Sequence, residues 1–595
     1  MASISTLGIP VRSVNWVRVF PTWDSEGKDC LVAIMGQQAA GFTVVKIDPN
    51  HGKSVQVTAS NSMANFPTSA IRSHDGCIYI GAAYAGTLYR YDPIKETLNE
   101  LGGINLPDDT FPCNMDEDKD KLIWIGCYGS ASLTSYNPET NKFVHHGKMD
   151  DIDMYCYPRV GDQGTIACLI NATCPHVVVY HPQSKIRKKV GPIVAKKDGG
   201  SVLLYRAADQ QLYIRSTQGN YRLCGFDLEP IKNLPEEAPP LAMSDGSIVD
   251  FLDRDIQQFR VIGITSPISG KIREIPLSYE SAGSEIYLLH KGPDKKLYGS
   301  SILPLHLFRF DSQKGAMEDL GICSTAAGEA YSMANMDNQL YICTYPGAML
   351  SVYDPLMDYQ FGFEQGNNPR QLGRMDKISY RPRSMIAGPL GRIWTASIPD
   401  YGLWGGPLSW YDPVGEEFGT YPDIAGKASC WSLAWLVDEE LIAVGTTING
   451  GTGTRPQVDE ATLFLWDYTQ EEKIWESNFP IPVTEINSLI LGPDKRLYGT
   501  AVGESGSFLF IYDPRKLNFI EILSLPVGRA LDLSLQIDSD RYVYGFTSDC
   551  CFRFNLVTNS IEKIYQENGA FEKPGPIDNG ELYFSKKHEL KKLVI

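Results

Sequence analysis

The sequence is short of the features that mark several common protein classes. Its 595 residues carry no surplus of positive charge: 54 Lys and Arg face 71 Asp and Glu, a formal balance of −17. Without spare cations to neutralise phosphates, general binding to nucleic acid or to an anionic membrane is not expected. No run approaches the roughly 18 apolar residues of a membrane span. The opening residues Ala2-Ser3-Ile4-Ser5 lack a basic stretch leading into an apolar one, which predicts a cytoplasmic protein without a secretory leader. The 13 cysteines include no Cys-x-x-Cys pair, so buried thiols in a reducing compartment are expected, not zinc modules or disulfides. A phosphate-cradling glycine loop entering a helix, a His-Glu-x-x-His pair and an EF-hand loop are all missing, so neither a cofactor nor a metal is expected. Long amphipathic helical periodicity is absent as well.

What is present is a folded, turn-rich, β-type composition. Hydrophobic residues make up 43% and charged residues 21%, and the chain holds 31 Tyr, 54 Gly and 37 Pro. The decisive signal is an internal repeat. One unit reads Asp75-Gly76-Cys77-Ile78-Tyr79-Ile80-Gly81 and then Gly86-Thr87-Leu88-Tyr89-Arg90-Tyr91-Asp92-Pro93. It returns around Tyr353-Asp354-Pro355, Tyr411-Asp412-Pro413 and Tyr512-Asp513-Pro514. The turn residue after each third strand recurs at Asp48, Asp92, Asn137, His181, Asp227, Ser266, Asp311, Asp354, Asp412, Asp467, Asp513 and Asn555. These markers lie 39 to 46 residues apart, except for two gaps of 58 and 55.

Four short strands per period of about 40–50 residues define β-propeller blades. Twelve full units and a partial one (575–584) exceed one ring, since propellers usually close at about four to eight blades. The expected fold is therefore all-β, with two propellers of about six to seven four-stranded blades each. The last blade lacks an outer strand, and 4–11 is the segment free to supply it. That closure would nest one propeller in the other; tandem rings, 1–320 and 321–595, are the alternative. The two long gaps place insertions at 356–385 and 446–461, and loops on a rigid scaffold are where function is often carried. The acidic runs Asp108-Asp109 and Asp116-Glu117-Asp118 read as solvated turns.

The phrase Asp-Gly-x-Ile-Tyr-Ile-Gly followed by Gly-x-Leu-x-x-Tyr-Asp-Pro resembles the virginiamycin B (streptogramin) lyase-type propellers. In architecture the chain is also similar to propeller polysaccharide lyases acting on uronate-containing glycans. These resemblances imply the fold and point to elimination chemistry in a central funnel; they carry no catalytic residue across.

The residues themselves suggest where such chemistry would sit. Loops entering the innermost strands, and loops between second and third strands, converge on one face of a propeller. Blades three and four bring Tyr128, Tyr157, Arg159, Asn171 and His176 to that face. β-Elimination on a uronate needs a cation for the carboxylate, a base for the C5 proton and an acid for the leaving oxygen. Arg159 suits the first task, His176 the second, and Tyr157 or Tyr128 the third. His306, Tyr345, Arg383, Trp404 and Trp431, with Asn171, are expected to bind substrate. The predicted function is a carbon–oxygen lyase acting on a uronate-containing saccharide or a similar small polar substrate. The alternative is a non-catalytic double propeller that meets a protein partner through one face.

Overall fold

The computed structural model describes residues 2–104, 109–250, 255–539 and 541–595. The chain forms two β-propellers, and no α-helix occurs among the described residues. Each blade is an antiparallel meander. The strands Ala64–Arg72, Ile78–Tyr84, Thr87–Asp92 and Thr97–Gly103 pair in sequence order, with Ile78 opposite Tyr91 and Tyr91 opposite Leu98.

The repeat phrase has a physical basis at both ends. At its close, the Asp92 carboxylate accepts the backbone N–H groups of Ile94 (3.0 Å) and Lys95 (3.1 Å), and Glu96 then turns left-handed at φ 56°. Asn137, Asp467, Asp513 and Asn555 make the same two bonds, so the marker residue is the side chain that starts each third-to-fourth-strand turn. At its head, the glycine after Ile-Tyr-Ile or Ile-Trp-Ile is required by close approach. A Cβ on Gly126 would stand 2.2 Å from the Cys156 carbonyl oxygen and 2.5 Å from Pro158 Cδ, both on the innermost strand of the next blade. A Cβ on Gly81 would stand 2.8 Å from Pro112 Cγ, again one blade on. Blades pack against each other through these gaps.

The chain divides into two compact units, Ser13–Gly283 and Met1–Arg12 with Ser284–Ile595. The first holds, among the described residues, six blades that begin at Asn15, Ala64, Phe111, Tyr155, Val202 and Ile248, the third and fourth joined into one eight-stranded sheet. Its ring closes by packing: Val14, Val17, Leu31 and Ala33 of the first blade share a core with Ile256, Ile262, Ile264 and Ile275 of the sixth. The second unit holds, among the described residues, seven blades, and its last sheet runs Lys573–Asp578, Glu581–Lys586, Glu589–Val594 and then Ser3–Gly8. The N-terminal strand lies antiparallel to the C-terminal one, with Ser3 opposite Val594 and Thr6 opposite Lys591. The six-bladed propeller is thus inserted into the seven-bladed one. Residue 320, the boundary expected from counting units, falls inside the outermost strand Ala316–Ile322 of a blade, and the division lies at 283/284 instead.

The insertions also resolve differently from expectation. Much of 356–385 is blade: Arg370–Arg374 and Ser379–Ala387 are strands. The remainder joins a third strand to a fourth and is knitted by buried Asn368, whose Nδ2 donates to the carbonyls of Asp354 (2.9 Å) and Met357 (3.2 Å). The 446–461 segment lies on the neighbouring blade's loop, with Gly451 N–H donating to the Leu403 carbonyl (2.8 Å) and Gly402 N–H to that of Thr452 (3.0 Å). The acidic runs are not solvated turns. Asp108 lies outside the described residues, but buried Asp109 accepts Ser130 N–H at 2.8 Å and Asp116 pairs with Arg206 at 2.9 Å.

Gly126→Ala forces a methyl against a backbone carbonyl and should cost about 1–3 kcal/mol or more of stability. Gly103→Ala, with nothing within 4 Å of the added carbon, should be close to neutral. Denaturant midpoints of the two variants and the parent check this.

Candidate functional site

The innermost strands of the seven-bladed propeller surround a cavity of ≈ 230 Å³. Its wall carries three charged side chains, Arg383, Asp532 and Lys573. Tyr287 comes from the first blade, Tyr331 from the second, Arg383 from the third, Ser488 from the fifth, Asp532 from the approach to the sixth and Lys573 from the seventh. Each sits near the start of an innermost strand or in the segment leading into it.

Arg383 is held from three sides. It pairs with Asp532, and its guanidinium carbon lies 3.9 Å from the Trp431 ring centre and 5.0 Å from that of Tyr331. Asp532 is itself anchored. Fully buried Asn487 donates to its Oδ1 (3.3 Å) and to the Ala530 carbonyl (2.9 Å), and receives the Thr500 hydroxyl at 2.7 Å. Glu485, one strand position before Ile486, is matched by Arg529 at 2.5 Å.

Arg381 is different. Its guanidinium carbon lies 4.7 Å from the Tyr345 ring centre, 5.4 Å from that of Tyr401 and 5.9 Å from that of Tyr380. The Tyr345 and Tyr401 hydroxyls are 3.0 Å apart, closing this phenolic cage. Among the described residues no carboxylate lies at salt-bridge distance from Arg381; the groups that act on it most are the phenols of Tyr331, Tyr345 and Tyr401. Such a cage steadies a cation through ring quadrupoles while leaving its net charge uncompensated.

Two titratable groups beside the arginines are pulled away from their ordinary ranges. Burial pushes the Glu329 carboxyl up to about 7, against the opposing pull of a Tyr331 hydrogen bond and of Arg381, Lys573 and Arg383. Burial also lowers the Lys573 ammonium, helped by Arg383 and opposed by Asp532, Glu329 and Glu285. The Lys573 Nζ lies 4.0 Å from the Tyr287 ring centre. A carboxyl that keeps its proton near neutrality and an amine that sheds one more easily than usual are an acid and a base near enough to act on each other. Among the described residues no group of three or more His, Cys, Asp or Glu side chains is arranged to hold a metal ion.

The residues singled out from sequence separate into three sets, with Trp404 standing apart. Tyr345, Arg383 and Trp431 fall in this funnel, linked through Tyr331, whose ring centre is 5.9 Å from that of Tyr345. Tyr128, Tyr157, Arg159 and Asn171 fall in the six-bladed propeller, where Tyr155 joins the strands: it pairs with Tyr128 on one side and with Asn171 on the other. His176 and His306 belong to neither mouth. Both start third strands and are 2% and 3% exposed. His176 directs Nδ1 at the Cys174 carbonyl (2.7 Å) and Nε2 at Asp150 (3.2 Å). His306 Nδ1 meets Asp319 at 2.9 Å. The expectation of His176 as a base and His306 as a substrate ligand is therefore corrected: burial and protein partners on the rings give both a structural place. Trp404 sits on the 400–406 loop, its Nε1 donating to the Arg455 carbonyl at 2.8 Å.

No protein-family model matches the sequence, and no curated protein matches it. Solved structures of similar outline exist at low similarity. The extracellular domain of a hybrid two-component system of B. thetaiotaomicron matches at 13% identity and a TM-score of 0.37, covering 100% of this chain and 82% of that one. PorZ, a surface component of the type-IX secretion system of Porphyromonas gingivalis, matches at 12% identity and 0.38, covering 99% and 87%. The β-propeller domain of Cps50 (Swd1) of Myceliophthora thermophila matches at 12% identity and 0.39, covering 52% and 97%. None of these carries a role to the residues described above.

Four residues of the funnel escaped the sequence reading: Arg381, Glu329, Asp532 and Lys573. Arg381 had a signal, since it stands two residues before Arg383 on the same strand, Ser379–Ala387. Asp532 had none, because the sixth blade's innermost strand is as short as Gln536–Ser539 and Asp532 precedes it.

Glu329 gives a pH test with a defined sign. Its folded value lies above the 4.5 of an ordinary Glu, so the folded state binds the extra proton and stability falls as pH rises from about 4.5 through about 7. Glu329→Gln should abolish that loss and exceed the parent at pH 8 by about 3 kcal/mol, with a much smaller difference near pH 4. Denaturant titrations of both proteins at the two pH values measure it.

Proposed function

We propose that the seven-bladed propeller binds a uronate-containing saccharide in its central funnel and cleaves it by β-elimination. The observation that carries this reading is Arg381, a cation enclosed by phenol rings with no carboxylate of the described residues at salt-bridge distance. An enclosed cation of this kind calls for an anionic ligand, and a guanidinium pairs best with a planar carboxylate. The fold-level resemblance to virginiamycin B lyase-type propellers, which also work by elimination, points the same way.

The chemistry then follows from the neighbours. Arg381 neutralises the substrate carboxylate, which makes the adjacent C5 proton easier to remove. Lys573, lowered by burial, takes that proton through its neutral amine. The C5–H electrons form the C4–C5 double bond as the C4–O bond breaks, and the Glu329 carboxyl delivers its proton to the departing oxygen. Trp431 and Tyr331, fixed against Arg383, shape the wall on which the sugar ring rests.

Elimination leaves a conjugated unsaturated uronate that absorbs in the ultraviolet, whereas hydrolysis does not. Incubation with a panel of uronate-containing glycans should give rising absorbance. Arg381→Gln should reduce the rate by roughly 10²-fold or more, and His176→Ala should leave it unchanged where the fold is retained. The rate should also decline above about pH 7 as Glu329 loses its proton. A rate that survives Arg381→Gln removes the site, and silence across the panel favours a non-catalytic platform.

A further inference from the structure

We propose that the loops 400–406 and 446–461 form an outer subsite of the seven-bladed funnel, in which Trp404 and Arg455 hold the uronate next along the chain. The substrate class this implies is a polyuronate, with acidic sugars in succession. The inference rests on the uronate reading of the funnel and deepens it.

Both loops join a second strand to a third, as the turn after Tyr345 does, so all three emerge on one face of the ring. Tyr401 brings the first loop to the arginine cage. Its hydroxyl is 3.0 Å from that of Tyr345, and its ring centre is 5.4 Å from the Arg381 guanidinium carbon. Trp404 follows on the same loop, at most about 11 Å of chain further on.

The second loop fixes the first. Trp404 Nε1 donates to the Arg455 carbonyl at 2.8 Å, which ties down the indole. Gly451 N–H donates to the Leu403 carbonyl (2.8 Å), Gly402 N–H to that of Thr452 (3.0 Å), and the Thr454 hydroxyl to that of Gly451 (2.7 Å). Glycine is what permits so close a fit. A Cβ on Gly451 would stand 1.9 Å from the Asp400 carbonyl oxygen. One on Gly450 would stand 2.8 Å from the Leu403 carbonyl oxygen and 3.1 Å from Trp404 Cδ1. The glycine-rich run 449–453, which leads into no helix, serves here as the bed of an indole. A loop already held in place loses little freedom when a ligand arrives.

The chemistry of the pair selects the ligand. Trp404 is half-buried, and among the described residues no other aromatic ring is set against it. Arg455 is exposed, and among the described residues no carboxylate lies at salt-bridge distance from it, the loop's own Asp459 and Glu460 included. An indole accepts the C–H face of a pyranose, and a guanidinium on the residue bonded to it accepts a carboxylate. A sugar that satisfies both carries its own acid. Arg381 takes one carboxylate in the funnel and Arg455 a second at its mouth, so successive uronates answer both cations.

The test compares two trisaccharides on the full chain: a galacturonate trimer, and one of equal length with a single uronate between neutral sugars. The parent should cleave the trimer with a KM lower by about tenfold or more, and Arg455→Gln should erase that preference. Trp404→Ala should raise KM for both substrates, with kcat for the trimer held within about twofold. Arg455→Gln keeps the backbone carbonyl that anchors Trp404, and both residues stand on loops, so the blades stay intact. A trimer preference that survives Arg455→Gln, or a KM indifferent to Trp404→Ala, overturns the proposal. If neither trisaccharide is cleaved, the elimination reading fails, and calorimetric titration with the trimer decides the subsite separately. Binding weakened about tenfold by each substitution retains it, whereas binding indifferent to them, or no binding, overturns it.

Discussion

The seven-bladed propeller depends on one pairing between the ends of the chain. Ser3–Gly8 completes the sheet whose innermost strand begins at Lys573, and Lys591 Nζ donates to the Thr6 hydroxyl at 2.7 Å across 585 residues of sequence. That closure removes the two strand edges an open ring would present. It also seats the seventh blade against the first: Tyr583 and Leu590 share a core with Val11, Ile286, Leu289 and Phe310. Lys573 meets the Tyr287 ring only because those two blades are neighbours. The funnel's amine is therefore positioned by a strand contributed from the opposite end of the chain.

Within the closed ring, burial and charge are traded against each other. The cavity wall carries Arg383, Asp532 and Lys573, and Arg381, Glu329 and Glu485 stand close enough to act on them or on one another. Arg383 and Asp532 meet the cost by pairing, and Asn487 fixes the acid. Arg381 meets it with phenol rings, which lower the cost of burial without cancelling the charge. Glu329 meets it by keeping its proton to about neutrality.

Particular residues show how far the sequence could be read. The turn aspartates, the glycine after Ile-Tyr-Ile and the period near 45 are local requirements of a blade, and each is satisfied within one or two repeats. Tyr345, Arg383 and Trp431 were legible because position in a blade fixes which loop a residue occupies. His176 and His306 misled because a strand-start histidine looks the same whether its ring faces a funnel or a nearby acid. Asp150 and Asp319 decide that, and neither is marked by spacing.

The sequence by itself determined the blade, the number of blades and the candidate strand for ring closure, because those follow from short-range periodicity and turn chemistry. The tertiary structure decided where one ring ends and the other begins, since strand pairing between residues nearly 600 positions apart has no local trace. It also decided which buried charges are compensated. Whether an arginine meets a carboxylate, as Arg383 does, or a ring of phenols, as Arg381 does, depends on side chains that neighbouring blades bring together. Burial and electrostatics are properties of that assembled neighbourhood, not of any segment within it.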